Sequence, residues 1–145
     1  HFATTYEFAN GVRYYATTRQ QRSCANQFAC HAVGTAGSSE TMRFEIKDRS
    51  GETTWRYGEK RSDMHQLEHN AMYAALRAGE IPNNGEYMAK STLMGIMARM
   101  SAYTGKEVTW EQAMNSKLDL SPSGYTWDAD PPPADIAVPG VTPLV

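Results

Sequence analysis

The stretch Thr4–Thr18, "TTYEFANGVRYYATT", sets β-branched and aromatic residues on both sides of Asn10-Gly11. Asn-Gly is the strongest short signal for a tight hairpin, because both residues tolerate the positive φ that a two-residue turn demands. With such a turn Ala9 pairs with Val12. Phe2, Tyr6, Phe8 and Tyr15 then share one face with Arg13 and Arg19, while Val12, Tyr14 and Ala16 take the other. Both faces carry apolar side chains in this register. A lone sheet with one solvated side does not look like this, so the pattern implies helices on one face and a second subunit or domain on the other. A bulge in the hairpin would weaken that inference.

Working outward, the rest of the first sixty residues also reads as strands. "NQFACHAVGT" and "ETMRFEIKD" are separated by the glycine-bearing turn "AGSS" around Gly37. In the second run Met42, Phe44 and Ile46 alternate with Arg43, Glu45 and Lys47, which predicts one wet face. "TTWRY" follows the turn "RSGE" and completes an open, largely antiparallel sheet of about five strands.

Helices follow the strands. Asp63 and Gln66 are spaced for a capping box, and the helix runs to Gly79 with Met64, Leu67, Ala71, Ala74, Ala75 and Ala78 on one arc. Asn83 and Glu86 can cap a second helix, which runs to Tyr103 and stops at Gly105. Its sequence, "EYMAKSTLMGIMARMSAY", is apolar nearly all round apart from Lys90 and Arg99, which predicts burial on several sides. Gly95 within it marks close backbone packing. A short helix from Thr109, boxed with Gln112, carries Trp110 and Met114. The closing stretch "LSPSGYTWDADPPPADIAVPGVTPLV" holds six of the seven prolines and should run extended. The expected class is α+β, with the sheet in 1–60, helices on one of its faces from 61–117, and an extended tail over 118–145.

Composition narrows the partners. A net charge of −2 without any long Lys/Arg run leaves no electrostatic footprint for nucleic acid. No apolar run approaches the roughly 20 residues of a membrane span. Cys24 and Cys30 would lie roughly 20 Å apart in one extended strand, beyond disulfide reach, so two free thiols are expected. The chain opens at His1 directly in strand-like sequence, which reads as a cut within a longer polypeptide with an N-terminal partner.

Two constellations carry chemistry. "HQLEH", His65–His69, has the H-x-x-E-H spacing of inverted zinc peptidases. A zinc site needs a third protein ligand; Glu80 and Glu86 are the nearest carboxylates downstream and nothing clusters with them, so no metal is expected. Both imidazoles flank the apolar arc beside Met72 and Leu76, an ordinary place for an amphipathic ring. Glu68 falls inside that arc and needs a partner if buried. In "TTRQQRSCANQFACHAVGTAG", Arg19 and Gln20 end one strand and His31 lies in the next; forked donors and an amide suit carboxylates or sugar hydroxyls. Polar strand ends in water are the competing reading. No G-x-G-x-x-G follows a strand, and neither a phosphate loop nor a G-x-S-x-G elbow is present.

"HFATTYEFANGVRYYATTRQQ", "VGTAG", the run from His65 to Pro122 and the closing "VPGVTPLV" together resemble the C-terminal part of Gfo/Idh/MocA-family oxidoreductases, in a bacterial branch related to sugar and inositol dehydrogenases. The most specific pieces are "EH", "RAGEIPNNGE", "AYTGKEVTWEQAMNSK" and "PGVT", in this order. The resemblance implies a two-domain parent. An N-terminal Rossmann domain, missing here, would hold NAD or NADP, and an α+β domain with an open sheet would shape a sugar or polyol site and build homo-oligomers through the sheet face. The family's glutamate-lysine-proline motif and its aspartate/histidine pair are not found in this sequence. The resemblance therefore places no catalytic residue and no cofactor contact in this chain. Arg19, Gln20 and His31 match the branch's recurrent Arg-Gln and following His, and Glu68 with His69 matches its "EH"; these five are the candidate substrate-side residues. Where this chain has His65 the branch tends to carry an aromatic, which further disfavours zinc. A glycosidase of the same family that uses NAD transiently, and a noncatalytic assembly domain, are the alternative expectations.

Overall fold

A computed structural model of the chain describes residues 1–60, 62–131 and 135–145. Arg61, at the expected start of the helical stretch, and Pro132 and Pro133 of the expected tail lie outside the described residues. The element order is β1 (Phe2–Glu7), β2 (Arg13–Thr18), β3 (His31–Val33), β4 (Gly37–Glu40), β5 (Glu45–Asp48), β6 (Thr53–Arg56), α1 (Met64–Arg77), α2 (Gly85–Thr104) and α3 (Trp110–Met114). The fold is α+β with antiparallel strands throughout, distributed over a two-stranded sheet, β1-β2, and a four-stranded sheet, β3-β4-β5-β6. Two units make up the chain: residues 1–20 with 83–145, and residues 21–82.

In the first unit the hairpin forms where Asn10-Gly11 predicts it, but one residue out of the expected register. Phe8 N–H donates to the Val12 carbonyl at 2.9 Å, Gly11 N–H donates to the Phe8 carbonyl at 2.8 Å, and Gly11 sits at φ +82. This is a three-residue loop closed by a glycine bulge; the Asn10 carboxamide accepts from Val12 N–H at 3.1 Å and holds it. Tyr6 therefore faces Tyr14, Thr5 faces Tyr15 and Glu7 faces Arg13. Because strand side chains alternate, the slip regroups every residue of β2. Phe2, Tyr6 and Tyr14 now share a face with Thr4 and Ala16, and Tyr15 joins Ala3, Thr5, Glu7 and Arg13 on the other. The expectation of aromatics spread over both faces is thus corrected: they gather on one side, with Tyr15 the exception.

That aromatic face meets α2. Tyr6 and Tyr14 stack at 5.6 Å, Phe2 stacks on Tyr103 at 5.9 Å, and the Arg99 guanidinium lies over the Tyr103 ring, 4.4 Å from its centre. The Tyr6 hydroxyl donates to the Met94 carbonyl at 2.7 Å. Burial is concentrated in the C-terminal half of α2, where Met100 is 5% exposed and Thr104 returns its hydroxyl to the Met100 carbonyl. The first turns, with Tyr87 and Met88, are solvent-exposed, so the burial on several sides expected from the sequence is not found. Gly95 likewise has nothing within 4 Å of where a Cβ would stand; the close packing expected there lies instead at Gly105. Gly105 ends the helix at φ +69, and a Cβ on it would come within 2.9 Å of the Gly140 nitrogen, whose N–H donates to the Thr104 carbonyl. The tail thereby caps α2. Thr109 and Gln112 exchange both bonds of the predicted capping box at α3.

The second unit holds the four-stranded meander. Gly37 is a strand residue, not the turn: Gly34 and Gly37 close a tight turn over Thr35-Ala36, and a Cβ on Gly37 would collide with the Lys47 carbonyl. The alternation of "ETMRFEIKD" is broken by a 3₁₀ turn at Thr41–Arg43 and by Phe44, which takes a left-handed φ of 56. Downstream of that break Glu45, expected on a wet face, is 4% exposed, while Ile46 is exposed. The Glu45 carboxylate is held by Arg56 Nη2 at 2.6 Å and lies 3.6 Å from Lys47 Nζ. α1 begins at Asp63, whose carboxylate accepts from the His65 and Gln66 backbone N–H groups, and ends in Gly79 at φ +79, with Glu80 N–H reaching the Ala75 carbonyl. Gln66 does not complete the box; its amide donates to Asn70.

Among the described residues only Met100 and Ala113 are buried apolar side chains.

Candidate functional site

Arg19 and Gln20 follow directly on β2 and are exposed in the first unit. His31, Glu68 and His69 belong to the second unit. His31 opens β3 opposite Glu40 and is exposed. Glu68 is exposed on α1, so its position within the apolar arc leaves no buried charge to neutralise. His69 turns its Nδ1 back to the His65 carbonyl at 2.7 Å, and its ring lies 6.5 Å from that of Tyr73, over which Arg77 sits at 6.0 Å. This local i,i+4 ladder occupies His69 along the helix. Among the described residues no hydrogen bond or ring contact joins His31 to Glu68 or His69. Among the described residues no group of three or more His, Cys, Asp or Glu side chains is placed to hold a metal ion. Cys24 and Cys30 are free thiols.

A concave feature of the first unit lies elsewhere. A groove of about 590 Å³ runs along β1, lined by residues 4–9, by Met94, Met97 and Ser101 of α2, and by Glu107, Val108, Thr109 and Trp110. Its volume falls within the range of ligand clefts. Burial, followed by the neighbouring Tyr14 hydroxyl, pushes the Tyr6 phenol above its ordinary pKa, so it remains a neutral donor to Met94. Glu7 is tied to Arg13 across the hairpin at 2.9 Å. The charged residues along the groove are Glu7, whose side chain is paired with Arg13 on the hairpin face away from α2, and Glu107. None of the five residues expected from the sequence lines it. Its parts were not legible in advance because residues 4–9 and 94–110 meet only through the packing of the hairpin on α2; the capping box at Thr109 was the one local signal, and it located Trp110 without its neighbour β1.

Asp63 already occupies the first N–H groups of α1 with a carboxylate, Glu86 lies in the first turn of α2, and α3 has five residues. Negative charge at these positions opposes a pyrophosphate. No described helix is long and apolar enough to cross a membrane. Comparison with protein-family models, with curated proteins and with solved structures yields no match to this chain.

Proposed function

We propose that this chain is the substrate-side and oligomerisation portion of an NAD(P)-dependent sugar or polyol oxidoreductase. The ordered run of motifs from "HFATTYEF" to "PGVT" carries the reading, and the α+β fold with antiparallel strands is compatible with it. Exposed large apolar side chains such as Tyr15, Tyr87 and Met88 support a chain that works against other protein, be it a cofactor domain or further copies of itself. In this reading a Rossmann domain holds NAD or NADP and the proton-transfer groups. Arg19 and Gln20 supply forked donors and an amide to substrate hydroxyls, and His31, Glu68 and His69 are the further polar candidates. Noncatalytic assembly is the second reading, favoured by the same exposed surface.

The test uses the chain joined to its cofactor domain, offered a panel of sugars and polyols while nicotinamide reduction is followed. Arg19→Ala and His31→Ala should each raise KM or lower kcat by about tenfold with the fold retained. Turnover of no sugar or polyol, or wild-type kinetics in both variants, would refute the assignment.

A further inference from the structure

β1 has one hydrogen-bonded neighbour, β2, and its other edge is open. The Phe8–Val12 bond sets the alternation, so Phe2, Thr4, Tyr6 and Phe8 direct their backbone groups to β2, and Ala3, Thr5 and Glu7 direct theirs to the open edge. No described residue bonds to those outward N–H and C=O groups. An isolated two-stranded sheet is marginal in water, and an unpaired edge is a template for another strand. Thr5 and Glu7 of this edge are among the residues lining the groove, together with Met94 and Met97 of α2 and residues 107–110.

We propose that this groove takes up an extended peptide segment as a third strand on β1. The outward backbone groups can be matched only by another extended backbone, which selects the occupant's conformation. Met94, Met97 and Trp110 receive an apolar side chain; Trp110 is 41% exposed, leaving its indole open to contact. Glu7 is already paired with Arg13, so Glu107, with no cation among the lining residues, selects a Lys or Arg beside it. The added strand would lie over α2 as β1 already does. This inference stands apart from the oxidoreductase reading.

The probe is a fluorescein-labelled hexapeptide alternating valine and lysine, titrated into the whole chain by anisotropy, with amide hydrogen exchange to locate it. Saturable binding below about 1 mM is expected, with new protection at Ala3, Thr5 and Glu7 and little change at Tyr6 and Tyr14. Thr5→Pro removes one outward N–H while leaving the bonds to β2, and should weaken binding by at least about tenfold. A peptide N-methylated on its bonding edge gives the same test without altering the protein. Replacing its lysines by glutamates should also weaken binding. Absence of binding up to about 1 mM, equal affinity for the N-methylated peptide, or protection confined to other elements would overturn the proposal. So would protection of the same three amides in the unliganded chain rising with protein concentration, which would make the occupant a second copy.

Discussion

Gly95 within α2 and Gly105 just past its end should respond to alanine with opposite signs. Gly95 lies in the helix interior, exposed, with no atom within 4 Å of an added Cβ. Gly95→Ala then changes only backbone freedom and should stabilise by about 1 kcal/mol, the helix-propensity difference. Gly105 is at φ +69, and its Cβ would stand 2.9 Å from Gly140 N and 3.2 Å from Pro139 Cβ. Gly105→Ala carries about 1–2 kcal/mol for the left-handed conformation, and about 1 kcal/mol more as the Gly140 bond to Thr104 is pushed apart. The gap between the variants is thus about 3–4 kcal/mol. Gly79→Ala, at φ +79 but with open space around it, isolates the backbone part. Urea unfolding followed by far-UV circular dichroism reads all three as midpoint shifts at constant slope. In thermal melts, about 4–8 °C per kcal/mol is expected for a unit of this size. A destabilising Gly95→Ala would refute the argument, because it would mean that another backbone lies against α2. Repeating the melt across a range of protein concentrations would then show whether that backbone belongs to a second copy.

Tyr6→Phe removes the hydroxyl bond to Met94 while keeping the stack on Tyr14, and should lower stability by about 1 kcal/mol, measured by urea titration. Arg56 holds the Glu45 carboxylate below its ordinary pKa, with Lys47 assisting against the opposing effect of desolvation. A depressed folded-state pKa contributes stability above the unfolded carboxylate's value, about 4.3, and loses it as pH falls through the folded value. Melting temperature should therefore drop on acidification below that range, and Glu45→Gln should flatten part of the drop; an unchanged acid limb would show that the ion pair contributes nothing. Tyr15 is 67% exposed on the hairpin face away from α2. If copies of the chain assemble through that face, Tyr15→Glu should shift light scattering towards monomer while leaving the melt of the isolated chain within about 0.5 kcal/mol. A wild type that is monomeric throughout the micromolar range would end the sheet-mediated reading. Isothermal calorimetry of the chain alone should show no heat with NAD or NADP, and micromolar binding would relocate the cofactor.

Local chemistry determined the punctuation. Asp63, Thr109, Gly79, Gly105 and Asn10-Gly11 each act on their own neighbours through a cap, a left-handed φ or a tight reversal, so helix ends and the first hairpin were readable from the sequence. Antiparallel strands before helices were readable for the same reason, since period-two and period-3.6 patterns are properties of short windows. Register was not. One extra loop residue, held by Asn10, rotated β2 by a face and moved Tyr14 and Tyr15 to opposite sides, and this depends on bonds between strands. The break at Phe44 buried Glu45 where alternation predicted Ile46, because the 3₁₀ turn and the pairing with Arg56 outrank the local pattern. The close approach expected at Gly95 falls at Gly105, which also ends α2 as expected, since only the tail's return decides which glycine another backbone approaches. The same holds for function: Arg19, Gln20, His31, Glu68 and His69 are marked by residue type and order alone, whereas the groove beside β1 exists only because residues 4–9 and 94–110, distant in sequence, are brought together by the hairpin packing on α2.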